Sequence, residues 1–125
     1  MALSSAVRAS RQAPLPRAMR PVDLVYLAKQ CQGDEHREYA MLRQFESRIS
    51  LYLAHLSAAT TNEDIAATLG TIIGSATAVG AVSVASLARA AQDQLATGTS
   101  PTIETIADLG HAIEEARAFI GDMLA

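Results

Sequence analysis

A chain of 125 residues is long enough for one domain with a packed core and too short for two. Half of the residues are apolar but only five are aromatic, while alanine alone supplies twenty-five, which points to closely packed helices. The net charge of −3 hides an asymmetry: residues 1–21 carry Arg8, Arg11, Arg17 and Arg20 and no acid, and the acidic remainder is a poor electrostatic match for nucleic acid.

The elements follow in chain order. Residues 1–20 combine the arginines with Pro14, Pro16, Ser and Ala and show no sustained helical stripe, so a disordered basic tail is expected. An organellar transit peptide is the alternative reading, since such segments are Arg- and Ser-rich and acid-poor. A secretory signal is not expected, because no apolar run of seven or more residues follows the basic positions.

Residues 21–125 read as one helical domain. "PVDLVYLAKQC" opens with Pro21 at a first-turn position, offers Val22, Leu24, Val25 and Leu27 for burial, and stops at Gly33. From Asp34 to Ala59, the residues Leu42, Phe45, Ile49, Tyr52 and Leu56 recur at spacings of 3, 4, 3 and 4, which places them on one helix face. Asp34 and Glu35 fall in its first turn, where negative charge suits the helix dipole.

"TNED" reads as a capping box in which Thr61 caps and Asp64 reaches back. Ile65, Leu69, Ile72, Ala76 and Val79 form the next stripe, which Gly80 ends or bends. A fourth helix runs to about Leu95 with Val84, Leu87, Ala88 and Ala91 inward. After the loop "ATGTSP", Ser100 is expected to cap and Pro101 to begin a last helix that buries Ile106, Leu109, Ile113, Ala116, Ile120 and Met123. The predicted fold is all-α: an antiparallel four-helix bundle with a short extra N-terminal helix.

The stretch from Ile65 to Ala88 is uncharged over twenty-four residues, and Gly70 with Gly74 spells GxxxG, so a small membrane-associated helical protein is an alternative. Six Ser or Thr and three Gly make insertion marginal, and the stripe with its break at Gly80 fits two water-exposed helices better. The single cysteine, Cys31, cannot form an internal disulfide, and His36, His55 and His111 have no metal-ligand spacing. A cytoplasmic protein without metal or cofactor is expected.

"IAATLGTIIGSATAVGAVSVASLARAAQDQL" resembles the histidine-containing phosphotransfer (HPt) domains of bacterial phosphorelays, whose central helix reads approximately A-H-T-[apolar]-K-G-S-A-x-x-[apolar]-G-A. Thr71, Ile72, Gly74, Ser75, Ala76, Val79, Gly80 and Ala81 match in place, and the likeness extends through "DLVYLAKQ" and "AIEEARAFIGDML". The resemblance implies an HPt-like domain over residues 21–125 that works with a response-regulator receiver domain or a histidine kinase. Two departures fall on the chemistry. Gly70 stands where the family has its phosphoryl-accepting histidine, and Ile73 where it has a lysine.

Glycine offers no nucleophile and isoleucine no charge to balance phosphoryl oxygens. No catalytic residue and no enzymatic activity are therefore expected. His36, His55 and His111 lack a lysine three residues on and a glycine four residues on, and read as solvated or core-edge side chains; an active protein with a non-standard acceptor is the alternative. What remains of the site is a binding face, Gly70, Ile73, Gly74 and Thr77, with Ile73 expected as an exposed apolar knob beside a glycine notch. Such a face suits a receiver domain, a kinase or a homodimer, without nucleic acid or membrane.

Overall fold

A computed structural model describes residues 20–125, so the expected basic tail lies outside the described residues except for Arg20. Five helices and no strand occur among the described residues: α1 (Leu24–Gln30), α2 (Glu35–Ala58), α3 (Asn62–Val79), α4 (Val82–Ala96) and α5 (Ile103–Leu124). The arrangement is compatible with a helical bundle. Consecutive long helices pack on one another, α5 closes against α2, and α1 lies against α2 and α3.

A single core joins all five. Leu42, Phe45, Ile49 and Leu56 of α2 are buried, as are Leu69, Ile72, Ala76 and Val79 of α3. Val84, Ala88 and Ala91 of α4 and Leu109, Ile113, Ala116 and Ile120 of α5 complete it. The expected stripes thus face inward, while Tyr52, Ile65, Leu87, Leu95, Ile106 and Met123 pack at the core margin, half-buried. Thr68 is the buried polar residue among those described, and its own hydroxyl is satisfied by donating to the Asp64 carbonyl one turn back at 2.8 Å. Cys31 is also fully buried, with its Sγ 3.4 Å from the Met41 Sδ.

Helix ends depart from the sequence expectation in several places, each for a local hydrogen-bonding reason. Pro21 precedes α1 by three residues; Asp23 caps the helix, its carboxylate accepting from the amides of Val25 and Tyr26 at 3.1 Å. The helix is too short to bury both faces, and Val25 is 41% exposed. Asp34 is the cap of α2 and not part of its first turn, accepting from His36 and Arg37. Thr102 caps α5 through Thr105, in place of Ser100, so Pro101 lies outside the helix; the Ser100 hydroxyl instead lies 3.5 Å from Asn62 at the start of α3. Thr61 does cap α3, but the Asp64 carboxylate turns to His55 at 3.3 Å and forms no return arm of a capping box.

Gly80 separates α3 from α4 at a φ of 81°. The Ala81 amide donates to the Ala76 carbonyl at 2.8 Å and the Gly80 amide to that of Thr77, the paired bonds of a Schellman ending. Its carbonyl accepts from the Asp23 amide at 2.8 Å, which fixes α1 to the turn. A Cβ at position 80 would sit 3.0 Å from the Asp23 carbonyl oxygen and 3.0 Å from the Tyr26 ring. The break also divides the uncharged 65–88 run into two helices, and among the described residues no helix is long and apolar enough to cross a membrane.

These contacts predict unequal glycine substitutions. Gly80→Ala combines a left-handed backbone with a steric conflict and should lower unfolding free energy by about 2–4 kcal/mol. Gly33→Ala, with φ of 77° and open space around the new methyl, carries the backbone cost alone, about 1 kcal/mol. Urea denaturation of the two variants beside the parent chain checks the difference; equal losses would contradict it.

Candidate functional site

The residues expected to form a binding face all lie on α3. Gly70, Gly74 and Thr77 are exposed and share one side of the helix, joined there by Ala67, Thr71 and Ala78. Between Ala67 and Ala78 no side chain on this face is larger than threonine, and none is titratable. Its hydroxyls turn partly inward: Thr71 donates to the Ala67 carbonyl at 3.2 Å. Ile73 departs from the expectation. It is half-buried and packs against the core, because it lies beside the Leu69–Ile72–Ala76 stripe on the helix circumference, and so it is not an exposed apolar knob.

Two arginines flank this face, and neither stood out in the sequence. Arg89 of α4 reaches back so that its Nη2 donates to the Thr77 hydroxyl at 3.2 Å. On the opposite side Met41, Gln44, Phe45 and Arg48 of α2 meet Ser75, Ala78 and Val79 around a crevice of about 110 Å³. Arg48 and Arg89 both fall off the apolar stripes of their helices, and only the packing of α2 and α4 on either side of α3 brings them to it. Gln92 adds a contact along the α4 side, with its Nε2 3.5 Å from the Ala66 carbonyl.

The glycines differ in what requires them. Gly33, Gly80 and Gly98 take positive φ, and a Cβ at Gly80 would also crowd Asp23 and Tyr26 at 3.0 Å, whereas a Cβ at Gly110 or Gly121 would make only ordinary contact with α2, 3.7 Å from Leu53 or 3.4 Å from Glu46. Gly70 and Gly74 answer to neither need. A Cβ at Gly70 would meet only the flexible Gln92 amide at 3.6 Å, and at Gly74 nothing within 4 Å. Each mid-helix glycine nevertheless costs about 1 kcal/mol relative to alanine.

None of the three histidines lies on the α3 face. His36 is exposed in the first turn of α2, and His111, expected near the core edge, is exposed on α5. His55, in the last turn of α2, places its Nε2 3.3 Å from the Asp64 carboxylate and so ties the end of α2 to the start of α3. Among the described residues no three His, Cys, Asp or Glu side chains converge to hold a metal ion. Compared with known proteins, the chain matches no family model, no curated protein and no solved structure.

Two predictions follow from this geometry. Gly70→Ala and Gly74→Ala should each raise stability by about 0.5–1 kcal/mol, read as a higher Tm with unchanged helical circular dichroism. A loss of stability would show that the face is more tightly packed than described. For the exposed His55–Asp64 contact, Asp64→Asn should change unfolding free energy by less than about 1 kcal/mol, measured by urea titration at neutral pH.

Proposed function

We propose that this chain is an HPt-like docking module of bacterial two-component or phosphorelay signalling. It binds a receiver domain or a histidine kinase through the exposed face of α3 and does not accept phosphate there. The observation that carries the reading is the pair Gly70 and Gly74, two destabilising residues on an open helix face where nothing within the chain requires a missing side chain. Their cost is understandable if a partner's backbone or side chains approach this surface closely.

The antiparallel four-helix arrangement belongs to the same proposal. Its support is the pairing of residues along each seam. Leu53 meets Gly110 while Glu46 meets Gly121, so α2 and α5 run in opposite senses. His55 meets Asp64 and the Phe45 level of α2 meets Ser75, the same relation for α2 and α3. Gln92 meets Ala66 and Arg89 meets Thr77, which repeats it for α3 and α4.

The chemistry of the face favours binding over transfer. Phosphoryl acceptance needs a nucleophile positioned in line and nearby positive charge. Gly70 supplies no nucleophile, and Ile73 brings an apolar side chain where the family's lysine would stand. The Thr71 hydroxyl is engaged with its own helix backbone. Arg89, held over Thr77, brings positive charge to the face and can steer an acidic surface toward the helix.

Two measurements test this. The chain is titrated against a panel of receiver domains, activated with beryllofluoride or not, and binding is followed by calorimetry. Saturable binding to one receiver is expected, weakened at least about tenfold by Gly74→Arg, whose Cβ enters open space on an exposed helix position. No binding across the panel, or binding indifferent to Gly74→Arg, would overturn the docking surface. In parallel, incubation with a receiver carrying labelled aspartyl phosphate should leave the parent chain unlabelled, and Gly70→His combined with Ile73→Lys should acquire label. Labelling of the parent would overturn the non-transferring assignment.

A further inference from the structure

We draw no further inference here: the strongest candidate, the small-residue face of α3 between Ala67 and Ala78 with Arg48 and Arg89 at its flanks, belongs to the site already described, and nothing in the structure shows which chemistry covers it.

Discussion

At Gly80 the backbone enters the left-handed region, and three separate parts of the molecule depend on that one residue. It ends α3 with paired amide-to-carbonyl bonds, it allows α4 to begin two residues later, and its carbonyl accepts from the amide of Asp23, the residue whose carboxylate caps α1. A side chain at this point would meet both the Asp23 carbonyl and the Tyr26 ring. Beyond the turn α3 and α4 pack on each other, with Arg89 and Gln92 lying over Thr77 and Ala66.

The helices themselves were legible in the sequence because their apolar residues recur every three or four positions, and each such stripe is buried. Helix ends were less legible. Ser100 and Thr102 are both able to cap, and the choice between them depends on Asn62, thirty-eight residues away from Ser100 and brought close only by the packed fold. Asp64 likewise has a local use, as the third residue of a capping box, and a tertiary one, beside His55. The tertiary partner prevails because α2 and α3 are already adjacent there.

The candidate site divides along the same line. That Gly70, Gly74 and Thr77 share a face follows from helix geometry alone, and so, on a closer reading of the wheel, does the half-burial of Ile73 next to Leu69 and Ile72. Arg48 and Arg89 could not be assigned to the face from spacing within one helix, since each arrives from a different neighbour. The glycines also could not be ranked. Seven occur in the chain, and only the backbone angle and surroundings of each separate the three at positive φ from the four that lie within helices.

The seam between α2 and α5 has a consequence for how the domain assembles. Every other contact between the long helices joins neighbours in sequence, so it closes a short loop and forms early at little entropic cost. The α2–α5 pairing instead joins segments separated by the whole of α3 and α4. Until that closure forms, the apolar face of α2 that α5 covers remains open to water. Cooperative folding of the whole domain thus rests on α5, since without it the three long helices before it hold a core that is still incomplete.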